Sequence, residues 1–167
     1  MIRPAHFDTE ADTIRALINE YVAWLGYDLC FQGIDAELAH LDVMYGAPCG
    51  GFLVAEEADV IVGCVGLRAL ADGTAEMKRL YVQPAFQGRG YGKGLIGAAV
   101  ALAKALGYRR VALDAAPRTA FAQQVYVALG FREIAPYAPS PIPETRYYEL
   151  DLDAQARSFR TSGNTSY

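Results

Sequence analysis

Histidine and cysteine are scarce in this 167-residue chain, which leaves little material for a metal centre. The histidines are His6 and His40, and the cysteines Cys30, Cys49 and Cys64 are odd in number and widely spaced. No C-x-x-C pair or Cys/His cluster occurs, so we expect neither a disulfide framework nor a metal site. Reduced thiols in a cytoplasmic protein are the simplest interpretation.

Long apolar runs are also missing. No stretch approaches the roughly 20 apolar residues that span a bilayer. The N-terminal residues lack a cationic segment followed by an apolar one, as a secretory signal would require. We therefore expect no membrane association and a cytoplasmic location.

A broad basic surface is absent as well, because the net charge is -4 and the pI is near 5.1. This balance argues against a nucleic-acid partner. Hydrophobic residues make up 53% and charged residues 20% of the chain, which is typical of one globular domain. Positive charge is concentrated around one loop, at Lys78, Arg79, Arg89 and Lys93, and this suits a small polyanion.

That loop, residues 87–94, is the most informative segment. Its glycines alternate with larger residues and precede a helical pattern. Glycine adopts positive φ, and free amides at a helix start form an anion site. A phosphate-bearing ligand is therefore expected. A Walker loop is excluded, because only three residues separate Gly88 from Gly92 and no hydroxyl follows Lys93.

A dinucleotide-binding G-x-G-x-x-G pattern also fits, at residues 92–97. Asp114 follows at roughly the distance of a ribose-binding acid. The context differs, however, because a loop containing Pro84 separates the strand ending at Val82 from Gly92.

A third pattern, Q/R-x-x-G-x-G/A, is met by Gln87, Gly90 and Gly92. It resembles the pyrophosphate loop of the GNAT superfamily, the acetyl-CoA-dependent N-acetyltransferases. Residues 76–84 before the loop and 122–131 after it are similar to family segments in the same order. The resemblance is strong over about residues 50–135.

Hydrophobic periodicity and turn residues predict the order β-α-α-β-β-β-α-β-α-β-β. Strands are expected at 1–5, 52–56, 60–67, 74–82, 109–114, 131–134 and 147–152, and helices at 9–25, 35–45, 95–106 and 120–129. This order matches the GNAT fold. The expected fold class is α+β in three layers, with about seven strands and about four helices. The sheet should be mixed, mostly antiparallel and splayed between its fourth and fifth strands.

Residues 1–153 are expected to form a single domain and residues 154–167 a polar, frayed tail. The prolines at 136, 139, 141 and 143 predict an extended flap before the last strand.

The resemblance implies two catalytic candidates. Tyr126 matches the general-acid tyrosine that protonates the departing thiolate, and its alternative role is a core aromatic. Since a phenol titrates near 10 and a thiol near 8.5, this proton transfer is uphill by about 2 kcal/mol in water. Glu76 matches a base that commonly acts through water, and its alternative role is an ion-paired strand residue.

The resemblance also implies the cofactor contacts. The strand end would pair with the pantetheine arm and the loop would wrap the pyrophosphate, through Leu80, Tyr81, Val82, Gln87, Gly88, Arg89, Gly90, Tyr91, Gly92 and Lys93. The Tyr91 ring is expected in the core. Many relatives carry Asn at the position of Thr119, so an amide contact cannot be carried over there.

The resemblance places the acceptor site opposite the coenzyme, between the region of the first two helices and the loop between the last two strands. Candidate contacts are Tyr27, Asp28 and Tyr45 from the first and Tyr137, Glu144 and Arg146 from the second. These residues do not distinguish a polyamine, an amino acid, an aminoglycoside or a protein lysine.

The expected function is transfer of an acetyl group from acetyl-CoA to a primary amine of a small molecule. Transfer should be direct, because no nucleophile elbow is evident, and no metal is expected to take part. Two alternatives stay open: a non-catalytic acyl-CoA sensor on the same fold, and a nucleotide-binding oxidoreductase that uses residues 92–97. Family habit also predicts a homodimer.

Overall fold

The computed structural model describes residues 1–154, apart from the side chain of Phe31. The strands are β1 Ile2–Pro4, β2 Gly51–Glu57, β3 Val60–Ala71, β4 Thr74–Val82, β5 Arg110–Ala115, β6 Arg132–Ile134 and β7 Arg146–Asp151. The α-helices are α1 Phe7–Leu25, α2 Ile34–Ala39, α3 Leu41–Tyr45, α4 Tyr91–Ala105 and α5 Ala120–Ala128. Short 3-10 turns occupy Cys30–Gln32, Pro84–Phe86 and Pro117–Thr119.

The strands form one seven-stranded sheet in the order β1-β2-β3-β4-β5-β7-β6. Neighbours pair antiparallel except β4 and β5, which run parallel. That parallel pairing extends only from Thr74↔Arg110 to Glu76↔Ala112, so the strands separate beyond Glu76. The predicted fold class and the predicted splay are confirmed.

Each face of the sheet carries its own apolar core. On β2, Leu53 and Ala55 pack in a cluster with residues of α4, whereas Phe52 and Val54 pack in a cluster with residues of α1. This alternation follows from the pleat, which sends successive side chains to opposite faces. The helices therefore form a layer on each side, and the gap between β4 and β5 lies between the layers.

The first helix ends as its sequence indicates, but the second does not. Gly26 caps α1 in the left-handed region at φ 77, and its amide donates to the Val22 carbonyl. The single helix predicted over 35–45 is instead split into α2 and α3. His40 lies at φ -136 and ψ 51 between them, outside the helical region.

The proline-rich segment between β6 and β7 has no helix or strand over residues 135–145. It is fastened at two points: Tyr147 donates to the Ala138 carbonyl at 2.6 Å, and the Tyr137 hydroxyl donates to Glu76 at 2.7 Å. Within residues 1–154, no helix combines the length and hydropathy that a membrane span requires. The frayed tail predicted for residues 154–167 lies outside the described residues except for Ala154.

Candidate active site

A β-bulge in β4 shapes the gap between β4 and β5. Cys64 pairs with Tyr81 and Gly66 with Lys78, so β4 has one more residue than β3 between these pairs. Arg79 lies in this stretch with φ 58, a left-handed conformation that is uncommon for a residue other than glycine. A bulge interrupts the backbone ladder and redirects the side chains that follow.

The bulge breaks the regular alternation of side chains along β4. Plain alternation would place Glu76, Lys78, Leu80 and Val82 on one face of the strand. Instead Met77, before the bulge, and Val82, after it, pack in the same cluster, the one that contains α4, so the alternation is broken between them. Lys78 and Arg79 also reach the same side chain, the amide of Gln32.

The glycine loop that follows β4 is open to solvent. Gly88 and Gly90 have φ of 76° and 85°, and an added Cβ at either position would meet nothing within 4 Å. The first helical backbone bond after the loop runs from the Gly94 amide to the Gly90 carbonyl. Within residues 1–154, no carbonyl accepts from the amides of residues 88–93. These amides are therefore free to bind an anion at the start of α4.

The loop side chains hold its shape. The Gln87 amide donates to the Val82 carbonyl at 2.9 Å and ties the loop to β4. Arg89 pairs with Glu57 at 2.7 Å. The Tyr91 ring is only partly buried, and its hydroxyl donates to Glu57 at 2.5 Å. The Tyr91 ring therefore packs against the core from its edge, not from within it.

A cavity of about 200 Å³ lies between this loop and the start of α5. Of the predicted cofactor contacts, it is lined by Leu80, Tyr81, Val82, Gln87, Gly88, Tyr91 and Gly92. Arg89, Gly90 and Lys93 belong to the same loop but do not line it. Residues not predicted from the sequence complete the wall: Trp24, Phe86, Arg118, Thr119, Phe121 and Ala122. The Arg118 guanidinium lies over the Trp24 ring, 5.2 Å from its centre, and both side chains line the cavity.

A smaller cavity of about 50 Å³ contains Tyr126. It shares Leu80, Thr119 and Ala122 with the larger cavity, so the two adjoin. The Tyr126 ring packs 5.6 Å from the Phe131 ring. Its hydroxyl makes no hydrogen bond to residues 1–154. Every fully buried side-chain polar atom in these residues has a hydrogen-bond partner, so the Tyr126 hydroxyl is not fully buried. The hydroxyl therefore reaches the cavity, and burial raises the pKa of Tyr126 well above that of a free phenol.

Glu76 is nearly inaccessible, with 5% of its side chain exposed. Its Oε1 accepts from Arg68 at 3.0 and 2.8 Å. Its Oε2 accepts from the Tyr137 hydroxyl at 2.7 Å and lies 4.0 Å from the Lys78 ammonium. These bonds and the burial favour the ion-paired role of Glu76 over the predicted base, because a base needs an oxygen that the amine can reach.

A polar network begins at Gln32 and crosses the gap. The Gln32 carbonyl oxygen accepts from Arg79 at 2.9 Å and from Lys78 at 3.4 Å, and its amide donates to Asp114 at 3.3 Å. Lys78 also donates to Asp114 at 3.0 Å. In the sequence Asp114 stands out only through the dinucleotide pattern, because a contact that joins β4, β5 and Gln32 leaves no local signal.

The network is anchored by a buried ion pair. Arg79 donates to both oxygens of Glu37 at 2.8 Å, and the Tyr45 hydroxyl donates to the same carboxylate at 2.7 Å. Burial alone would raise the pKa of Glu37, but the hydrogen bonds and charge of Arg79 outweigh it and hold the pKa below its usual range. This ion pair joins α2 to the bulge of β4.

The predicted acceptor contacts lie elsewhere. Tyr45 is 1% exposed in the core, which argues against contact with an acceptor. Tyr27 is half-buried against the α1 cluster, and the Asp28 carboxylate accepts from the Cys30 amide at 2.9 Å. Arg146 is exposed, 3.9 Å from Glu133. In the described part of the chain, none of these predicted contacts lines either cavity.

Residues 1–154 contain no cluster of three or more His, Cys, Asp or Glu side chains that could hold a metal ion.

Comparison with known proteins agrees with this architecture. The model of the acetyltransferase (GNAT) family matches residues 15–131. A Schizosaccharomyces pombe protein described as an uncharacterized N-acetyltransferase is 34% identical, over 91% of this chain and 99% of its own length. An IAA acetyltransferase of Azospirillum brasilense is 32% identical, over 84% of this chain and 92% of its own.

Solved structures share the fold. A GNAT-family acetyltransferase from Staphylococcus aureus superposes with a TM-score of 0.76 at 23% identity, over 91% of this chain and 98% of the other. YncA of Salmonella typhimurium, solved with its cofactor acetyl-CoA, has a TM-score of 0.67 at 23% identity, over 92% of this chain and 94% of the other. The matched family model and the shared fold agree with the glycine loop and the splayed sheet, and this chain belongs to the GNAT family of acetyltransferases.

Proposed function

We propose that this protein is a cytoplasmic N-acetyltransferase that moves an acetyl group from acetyl-CoA to a primary amine of a small molecule, by direct transfer in a ternary complex. The observation that carries the proposal is the pair of adjoining cavities. One lies against the open glycine loop and the other contains the Tyr126 hydroxyl, and they share Leu80, Thr119 and Ala122. A long ligand held at the loop by its phosphates would thus end beside a phenol.

The residues present fit the coenzyme. Free amides of residues 88–93 at the start of α4 suit a diphosphate, and the two left-handed glycines leave room for it. The bulge in β4 leaves backbone groups near Leu80 outside the ladder, where they suit the amides of a pantetheine arm. The solved relative from Salmonella typhimurium, which contains acetyl-CoA, supports this choice of ligand.

The catalytic role that we assign to the protein's own side chains is general-acid catalysis by Tyr126. Bound acetyl-CoA supplies an acyl carbon activated by a thiol leaving group. Tyr126 is held in a cage formed with Phe131 and Tyr148, and burial raises its pKa, so the phenol is a weaker acid than in water. It can serve as the acid only where its hydroxyl hydrogen-bonds the sulfur directly as that atom gains negative charge.

Binding and turnover test the proposal together. We expect acetyl-CoA to bind with a Kd in the micromolar range, measured by isothermal titration, and a panel of small primary amines to release free thiol from it. Binding without thiol release across the panel would support the acyl-CoA sensor instead. Heat from NAD(H) with none from coenzyme A would support the oxidoreductase.

Substitutions of two glycines, one in the loop and one in α4, distinguish the Q/R-x-x-G-x-G/A pattern from the G-x-G-x-x-G pattern. Gly90→Ala forces a side chain into the left-handed region and places a methyl group where the phosphates would lie, so we expect at least about tenfold weaker coenzyme A binding. Gly97→Ala is the matched control, because its Cβ would meet nothing within 4 Å and it lies inside α4. We expect Gly97→Ala to retain binding and to gain about 0.5–1 kcal/mol of stability.

Loss of coenzyme A binding in Gly97→Ala, with retention of that binding in Gly90→Ala, would favour the dinucleotide pattern of residues 92–97.

The homodimer stays a prediction from family habit, which sedimentation of the purified protein can check.

A further inference from the structure

The gap between β4 and β5 has a second opening. A cleft of about 350 Å³ lies beneath the proline-rich segment, on the side away from the glycine loop. It shares Gln32, Lys78 and Asp114 with the cavity that contains Tyr126. A small molecule that entered the cleft would meet the Tyr126 cavity at these three side chains.

Two carboxylates line the cleft, and they differ in what they can still bind. Glu76 already accepts from two nitrogens of Arg68 and from Tyr137, and its side chain is 5% exposed. Asp114 accepts from Lys78 at 3.0 Å on one oxygen and from Gln32 at 3.3 Å on the other, and its side chain is 19% exposed. An ionised carboxylate offers about four lone-pair sites, so Asp114 can accept further N–H donors.

Resting on the proposed function, we propose that the cleft is the acceptor site and that Asp114 binds the ammonium group of the acceptor and takes its first proton. In that step one N–H bond breaks, its electron pair stays on nitrogen, and the proton moves to an Asp114 oxygen and then to solvent. The nitrogen is left neutral at the entrance of the Tyr126 cavity, as attack on a thioester requires.

The charges of the cleft indicate the class of acceptor. Arg68 and Lys78 balance Glu76 and Asp114, so the four charged groups that line it sum to zero. A polycation would gain little from this balance. The acceptor is therefore a small amine that carries a single ammonium group, which fits beside one accessible carboxylate.

Direct binding of a simple cation tests the site apart from turnover. Ethylammonium chloride is titrated into the coenzyme A complex and followed by protein NMR, with sodium chloride at equal ionic strength as the salt control. We expect Asp114→Asn to weaken ethylammonium binding at least about tenfold, because hydrogen bonds to charged groups contribute about 1.5–3 kcal/mol. Asp114→Glu should restore part of it. Asp35→Asn is the matched control, because this exposed residue of α2 lines neither cavity and its loss removes the same charge.

A double variant removes the remaining ambiguity. Asp114→Asn leaves the Lys78 charge without its partner, and that charge alone would repel a cation. In Asp114→Asn with Lys78→Met both charges are gone, and we expect ethylammonium binding to stay weak. Its recovery would show that the loss acted through Lys78 and would overturn the proposal.

The remaining outcomes separate this inference from the function on which it rests. Failure of the wild-type protein to bind acetyl-CoA would refute the proposed function. Normal acetyl-CoA binding together with unchanged ethylammonium affinity in Asp114→Asn, or with no ethylammonium binding to wild type, would overturn only the acceptor site. A loss confined to Glu76→Gln would assign the anchor to Glu76 instead.

Discussion

Tyr126→Phe is expected to lower kcat about 100-fold while the affinity for acetyl-CoA stays within about twofold. The variant removes only the hydroxyl, which makes no hydrogen bond to residues 1–154 and lines the small cavity. Its loss should therefore leave packing and stability nearly unchanged and deprive the leaving sulfur of its proton. Steady-state kinetics of thiol release, with the Kd for acetyl-CoA from titration, check the result.

Tyr148→Phe is the matched control for that experiment. Tyr148 packs 6.0 Å from Tyr126, but its hydroxyl donates to Gln123 at 3.0 Å and lines none of the cavities. We expect it to lose about 1 kcal/mol of stability and to keep its turnover. A rate for Tyr126→Phe equal to wild type across pH 7–9 would remove the general-acid role.

Glu37→Gln is expected to destabilise the fold by about 3–5 kcal/mol, because it leaves the Arg79 guanidinium buried without a counter-ion. The Arg79 and Glu37 side chains are 3% and 0% exposed, so water cannot replace the lost partner. For a domain of this size the loss corresponds to about 10 °C in Tm. Urea unfolding followed by circular dichroism measures it.

An exposed ion pair supplies the comparison. Asp12 pairs with Arg15 at 2.7 Å, but its side chain is 99% exposed. We expect Asp12→Asn to cost less than about 1 kcal/mol. A Glu37→Gln variant as stable as Asp12→Asn would contradict the structural role assigned to the buried pair.

The same pair has a pH signature. The pKa of Glu37 is lowered in the folded protein from its ordinary value of 4.5. Its contribution to stability is therefore fully present above about pH 4.5 and is lost as the pH falls through the depressed value. The acid-induced loss of stability should be smaller in Glu37→Gln.

The parts of this fold that depend on local sequence were predictable. Strand β4 begins and ends where alternation and its flanking turns place it, at Thr74 and Val82. The glycine loop follows as expected, because glycine and helix-start signals are both short-range. The predicted order of strands and helices holds throughout residues 1–154, although the second helix is split.

The features that required the structure are non-local. Nothing in the sequence near Arg79 marks a left-handed residue, because the bulge is set by the pairing of β4 with β3. The positions of Asp114 and Gln32 depend on how β5 and a distant turn meet β4, across 82 residues of chain. For the same reason the acceptor contacts predicted at Tyr45 and Arg146 did not converge on one cleft.

The short pairing of β4 with β5 leaves the two halves of this sheet joined at one end and with free tips at the other. Three residue pairs form that joint, and at the free tips, beyond Glu76, the two strands do not pair. In a continuous sheet, the backbone groups at those tips would be satisfied by the neighbouring strand. Under the proposed function this place is taken by the bound coenzyme, which would supply hydrogen-bond partners that the neighbouring strand does not.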